Sequence, residues 1–177
     1  MKKLTTKKFI EELEGTIYIK ARKNYFIVEE KGNKIRIIDQ KGNDIFTFGG
    51  SFRWNPKETV LICNDNWVIT KKNEYGYYYL YDCINKTIVE IKNNKVRPLK
   101  DNAYGIYSEN DNFVKVFNKK YVGVYEIQVE KGKNEALKEL IPVEYQKIET
   151  FSKYIMAQKE TGEIVYYDYD GKVLMTV

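Results

Sequence analysis

Four short runs decide how this chain is read: Ile35-Arg36-Ile37-Ile38-Asp39, Tyr78-Tyr79-Leu80-Tyr81-Asp82, Val122-Gly123-Val124-Tyr125-Glu126 and Ile164-Val165-Tyr166-Tyr167-Asp168. Each ends on an acid, and successive acids lie 43, 44 and 42 residues apart. The prolines keep the same step, Pro56, Pro98 and Pro142 being 42 and 44 apart. An aromatic that opens a strand-like run recurs at Tyr25, Trp67, Phe113 and Tyr154. Three markers that share one period of about 43 residues identify an internal repeat.

Within each run the positions four and two before the acid are apolar or aromatic: Ile35/Ile37, Tyr78/Leu80, Val122/Val124 and Ile164/Tyr166. Side chains alternate across a strand, so each pair shares one face, which is assigned to the core. The position three before the acid varies through Arg36, Tyr79, Gly123 and Val165, as a more exposed face does. The acid itself reads as a turn former. Asp39-Gln40-Lys41-Gly42 and Asp168-Tyr169-Asp170-Gly171 supply Gly for a left-handed residue, and Asp82-Cys83-Ile84-Asn85 offers Asn there.

The spacing predicts, for each unit, an aromatic strand, a turn, the acid-ending strand, a turn, a short strand, a Pro-containing connection and a strand leading onward. In the first unit these are Tyr25–Glu30, Lys34–Asp39, Asp44–Phe48 and Thr59–Cys63. Gln128 to Glu135 reads as an inserted polar loop. Before the repeats, Thr6 can cap a helix whose apolar face is Phe9, Ile10 and Leu13 and which Gly15 ends. The expected architecture is a single domain over 1–177: all-β with one short N-terminal helix at 6–14, then four antiparallel units of about 43 residues. Their expected bounds are about 24–66, 67–111, 112–153 and 154–177, in a propeller-like or curled β-repeat sheet, with a β-sandwich as the alternative.

Composition narrows the chemistry. The 177 residues include 16 Tyr and no His, which removes Ser-His-Asp triads, Cys-His pairs and His-ligated metals. Cys63 and Cys83 are too few for a Cys₄ zinc site and read as packing residues, so no metal and no cofactor is expected. Gly49-Gly50-Ser51 lacks the phosphate-loop pattern. The 30 Lys+Arg and 25 Asp+Glu are interspersed, giving net +5 without the basic stripe typical of nucleic-acid binders. Lys2-Lys3 precedes no apolar signal region, and no run nears the ~20 apolar residues of a membrane span, so a cytoplasmic protein is expected. Heavy use of Lys, Asn, Ile and Tyr fits an AT-rich bacterial or phage genome.

The stretch Lys138-Glu139-Leu140-Ile141-Pro142-Val143-Glu144-Tyr145-Gln146-Lys147-Ile148-Glu149-Thr150-Phe151 resembles the connecting segment of WG-repeat proteins. Those repeats read G-x-x-I-I-P-x-x-Y-D-x-I-x-x-F, then a strand, then W-G-x-x-D. The resemblance covers Lys120 to about Leu174; in the first two units only Pro56, Pro98 and the strand–acid–turn rhythm match. Ile35, Tyr78, Val122 and Ile164 stand at the Trp position, and only Gly123 keeps the Gly. The resemblance implies a β-repeat fold that binds partners, with no catalytic residues to carry over.

No residue is singled out for catalysis. Alternation puts Tyr77, Tyr79 and Tyr81 on one face of their run and Tyr78 with Leu80 on the other. An exposed Tyr cluster calls for a partner, since Tyr gives large rigid contact area at little entropy cost. Tyr77, Tyr79, Tyr81, Lys71, Lys72 and Arg53 are therefore the candidate partner-binding residues. The expected function is a non-catalytic protein-binding module, an inhibitor of toxin-immunity or phage anti-defence type that blocks another protein. The alternative is a single-stranded nucleic-acid binder, with Tyr77 and Tyr79 stacking bases and Lys71, Lys72 and Arg53 on phosphates. A carbohydrate-binding module is a third reading; Trp54 and Trp67 would be sugar platforms in a glycosidase, but nothing singles out its two carboxylates.

Overall fold

The computed structural model describes residues 16–30, 34–48, 60–72, 77–91, 95–99, 112–133 and 135–177. The helix read at 6–14 lies outside them. They form sixteen strands. The first eight are β1 (Thr16–Ala21), β2 (Tyr25–Glu30), β3 (Lys34–Asp39), β4 (Asp44–Phe48), β5 (Val60–Cys63), β6 (Trp67–Lys72), β7 (Tyr77–Asp82) and β8 (Thr87–Ile91). The rest are β9 (Lys95–Pro98), β10 (Phe113–Asn118), β11 (Tyr121–Ile127), β12 (Leu137–Tyr145), β13 (Lys147–Thr150), β14 (Ile155–Gln158), β15 (Ile164–Tyr167) and β16 (Val173–Thr176).

Four antiparallel meanders of four strands follow one another: β1 to β4, β5 to β8, β9 to β12 and β13 to β16. Each therefore starts one strand earlier than the aromatic marker. The strand read as the tail of the first unit, ending at Cys63, is the first strand of the second sheet. Tight turns decide this phase. Arg22 N–H donates to Tyr25 O at 2.9 Å, Asn64 N–H to Trp67 O at 3.1 Å and Phe151 N–H to Tyr154 O at 2.9 Å. A two-residue turn ties a strand to the one after it, whereas β4 and β5 are separated by eleven residues and pair in different sheets.

Three of the four acids make the expected turns. Asp39 Oδ1 accepts from Lys41 N–H at 2.8 Å and Asn43 N–H at 2.9 Å. Asp82 Oδ1 accepts from Ile84 and Asn85 N–H, both at 2.9 Å, and Asp168 Oδ1 from Asp170 and Lys172 N–H at 3.0 and 2.8 Å. Burial alone would raise the Asp39 carboxyl, but hydrogen bonds from Asn43 and Lys41 prevail and hold it below its usual range. Gly42 and Gly171 take the left-handed position at φ 88 and 84, as expected. In the second unit Lys86, at φ 58, takes it and not Asn85. The left-handed residue there comes four places after the acid and not three, and the Asn85 amide is committed to Asp82 Oδ2 at 2.7 Å and Glu130 O at 2.8 Å. Glu126 makes no such turn: β11 runs on to Ile127, and Glu126 accepts from Gln128 Nε2.

The sheets stack face to face in chain order through three apolar cores. Tyr25, Ile27, Ile35 and Ile37 of the first pack on Cys63, Val68, Tyr81 and Cys83 of the second. Trp67, Ile69, Tyr78 and Leu80 of the second pack on Val96, Val114, Val116 and Ile127 of the third. Val122, Val124, Ile141 and Tyr145 of the third pack on Ile148, Ile155, Ala157, Val165 and Tyr167 of the fourth. Each sheet thus turns a forward face to its successor, and the residues four and two before the acid lie on it. This assignment to the core holds for Ile35/Ile37, Tyr78/Leu80 and Val122/Val124, and fails for Ile164/Tyr166. In the fourth sheet the buried pair is Val165 and Tyr167, because its only described neighbour lies on the other side.

Polar contacts bridge the same junctions. Tyr25 OH lies 2.6 Å from Asn64 O and 3.1 Å from Trp67 O, Asn64 Nδ2 donates to Asn112 Oδ1 at 3.0 Å, and the Tyr145 and Tyr167 hydroxyls meet at 2.5 Å. Burial raises the Tyr25, Tyr145 and Cys83 pKa values, and burial with Glu139 raises Tyr125 to about 12. A raised folded pKa means that stability is whole below the unfolded value, 10.0 for Tyr, and is lost as pH rises above it. The urea midpoint is expected to stay level from about pH 7 to 9 and fall above about pH 10, less steeply in Tyr25→Phe. A midpoint unchanged at pH 11, or falling equally in both, would refute this role for the buried phenols.

Candidate functional site

The forward face of the fourth sheet carries Tyr154, Met156, Ile164, Tyr166, Met175 and Val177, with Gln158 opposite Ile164 as its polar member. Pairing sets it: Met156 lies opposite Tyr166, Tyr166 opposite Met175, and Ile164 exchanges both backbone hydrogen bonds with Val177 at 2.8 Å. Phe151 stacks on Tyr154 with centroids 4.6 Å apart, and Tyr154 meets Tyr166 edge-on at 5.5 Å. These rings half-bury one another, which explains the intermediate exposure of Tyr154 and Tyr166. At the rim, Lys147 and Glu149 on β13 point the same way and pair at 2.5 Å.

The outermost strand is more open still. Val173, Leu174, Met175 and Val177 are 51, 54, 52 and 70% exposed, so β16 is uncovered on both faces, and among the described residues nothing pairs with its outer edge. The corresponding outer strands carry charges, Asp44 on β4, Glu90 on β8 and Lys138, Glu139 and Glu144 on β12, while 173–177 carries none. Charges on an edge discourage pairing with foreign strands, and an apolar edge invites it.

The expected tyrosine face is arranged otherwise. Tyr81 is 6% exposed and packs edge-on against Phe46 of the first sheet, centroids 5.1 Å apart. Tyr79 is half-buried against the same core. Burial raises the Tyr81 pKa. The first sheet occupies the side that these rings face, so Tyr81 is taken up by packing between units. Lys71 and Lys72 lie opposite Tyr78 and Tyr77 on the β6–β7 ladder, which places the backbone of three candidates together. Arg53 lies outside the described residues, as do the side chains of Lys71, Lys72 and Tyr77. Of the two rings read as base-stacking, Tyr79 is half-buried against the first sheet and the Tyr77 side chain lies outside the described ones.

Two concave sites flank the third sheet. A cleft of about 180 Å³ lies between the second and third sheets, lined by Asn66, Trp67, Asn112, Glu126, Gln128 and Glu130 among others. Its wall is the expected polar insertion, held to the second sheet where Asn85 binds Glu130 O and Gly132 N–H. The Trp67 Nε1–H is buried without an acceptor. A shallower groove of about 440 Å³ between the third and fourth sheets is lined by Tyr121, Val143, Glu144, Lys159, Glu160 and Thr161. There Lys120 Nζ lies 2.6 Å from both Glu160 oxygens, and its hydrogen bond holds the Glu160 carboxyl below its usual range. Among the described residues no group of three or more His, Cys, Asp or Glu gathers to hold a metal.

No protein-family model and no curated protein matches the chain. Solved structures similar to it include Hsv2p of Kluyveromyces lactis, at 12% identity and a TM-score of 0.43 over 93% of this chain and 51% of that one. The uncharacterized protein lmo1340 of Listeria monocytogenes is similar at 11% identity and 0.40, over 93 and 52%. The C-terminal WD40 domain of Sif2 is similar at 11% and 0.33, over 92 and 46%. The chain spans about half the length of these structures.

Proposed function

We propose that this chain is a non-catalytic protein-binding module that blocks a partner protein with the forward face of its fourth sheet. The observation that carries this is the open face of Tyr154, Met156, Ile164, Tyr166, Met175 and Val177, of which Ile164 and Tyr166 stand at repeat positions that the other three sheets bury. A contiguous apolar patch beside an uncharged strand edge is the usual signature of a docking surface. The propeller-like stacking of four sheets supplies the rigid support, and the resemblance of residues 120–174 to WG repeats belongs to the same reading. An inhibitor of a toxin or of a defence protein, acting in the cytoplasm of a bacterium or from a phage, is the biological role proposed for it.

The test is capture with the immobilised chain and with Met175→Lys, an exposed position whose substitution leaves the cores intact. One protein should be retained by the chain and reduced at least about tenfold on the variant, a loss of about 1.4 kcal/mol. Its own activity should fall when the chain is added. Recovery of no selective protein, or equal recovery on both, overturns the proposal.

A further inference from the structure

We infer that a second copy of this chain covers the forward face of the fourth sheet, giving a closed two-fold dimer. The inference rests on that face being a docking surface, and it adds that self-association and capture of another protein compete for it. Two copies have few ways to meet. Stacking head to tail would need an open face on the first sheet, opposite its forward one. That side carries Phe26, Val28 and Ile38, all already buried within the chain. The one apolar sheet face left open among the described residues is the fourth forward face. Like meeting like about a two-fold axis closes the assembly at two copies and makes no filament.

Charge selects the orientation. The face grades from Lys147 and Glu149 on β13, through Gln158, Met156, Tyr154, Ile164 and Tyr166, to Met175 and Val177 next to the bare edge. An axis lying along the strands would set the Lys147–Glu149 ion pair of one copy on the apolar strand of the other and desolvate it with no added partner. An axis across the strands sets β13 on β13 in opposite directions. Lys147 then faces the partner's Glu149, and Met175 and Val177 meet their own kind.

Area sets the strength. Four strands about 4.8 Å apart and four to five residues long at about 3.3 Å each give a face near 19 by 15 Å. With its relief, this corresponds to roughly 500 Å² of accessible surface per copy, so a dimer buries about 1,000 Å² in total, at the low end for specific interfaces. The dimer is therefore a micromolar one, which leaves the face available to a tighter partner.

Sedimentation equilibrium of the purified full chain, from about 1 μM to about 1 mM, tests this without any partner. The chain should pass from monomer to dimer with a midpoint of roughly 10 to 100 μM. Tyr166→Lys and Met175→Lys should each weaken it at least about tenfold, their urea midpoints showing that they fold. Lys147→Glu should weaken it similarly, and adding Glu149→Lys should restore it, because the swapped pair is again complementary. A chain monomeric at about 1 mM, a dimer indifferent to Tyr166→Lys and Met175→Lys, or a charge swap that does not restore association overturns the inference. A monomer that still captures a protein sensitive to Met175→Lys removes only the dimer. A face whose variants change neither property removes the docking surface itself.

Discussion

Gly123→Val is expected to lower the stability of the chain by about 3 kcal/mol or more, and Gly123→Ala by about 2 kcal/mol. The residue sits on β11 where pairing with β12 slips: Val122 lies opposite Tyr145, yet Val124 lies opposite Ile141. One residue of β11 thus faces three of β12, and Pro142, lacking an N–H, sits in the bulged stretch where no ladder hydrogen bond is needed. The bulge brings β12 backbone directly over Gly123. A Cβ there would meet Ile141 O at 2.5 Å and Pro142 C and Val143 N at 2.8 Å. These are main-chain atoms of a strand packed between two sheets, so no side chain can swing away to relieve the overlap. Gly132 is the control: its Cβ would meet nothing within 4 Å, and only its φ of +82 opposes substitution, so Gly132→Ala should cost about 1 kcal/mol. Urea midpoints at constant slope measure all three. A Gly123→Ala protein within about 0.5 kcal/mol of the parent would contradict the close approach.

The repeat was legible because it is written in local chemistry. Asp39, Asp82 and Asp168 declare turns by side-chain hydrogen bonds that span only two to four residues, and the alternation of Ile35 with Ile37 or Val122 with Val124 declares one face of a strand. Features set by distant residues were less legible. The alternation in Tyr77-Tyr78-Tyr79-Leu80-Tyr81 shows two faces, but which one water reaches depends on the neighbouring sheets, and both sides of the second sheet are occupied. The phase of the units follows from which strands tight turns join, so β5 belongs with the strands after it, although the aromatic marker at Trp67 starts the second unit one strand later. Asn85 was displaced from the left-handed position because its amide finds two acceptors, one of them in an insertion 45 residues on.

The candidate site follows the same logic. Ile164 and Tyr166 align with residues that are core in three units, and alternation cannot reveal that among the described residues no fifth sheet covers them. Its signal was the repeat itself: a forward face is buried only by a successor. The neutral run Val173-Leu174-Met175-Thr176-Val177 was a second signal, since the outer strands before it all carry charge.

A pair of lysine substitutions at equivalent positions tests this account most directly. Val124 and Tyr166 both stand two before the acid, on forward faces of consecutive sheets. Val124 is fully buried against the fourth sheet, so Val124→Lys places an ammonium in an apolar core and should cost about 4 kcal/mol or abolish folding. Tyr166 borders water and meets Tyr154 edge-on, so Tyr166→Lys should cost no more than about 1 kcal/mol, the worth of that ring contact. The measurement is urea unfolding of the two variants and the parent in one buffer, at a concentration near 1 μM where association is negligible. The account predicts a gap of about 3 kcal/mol or more between the variants. Equal losses would contradict it, because the fourth forward face would then be as covered as the third.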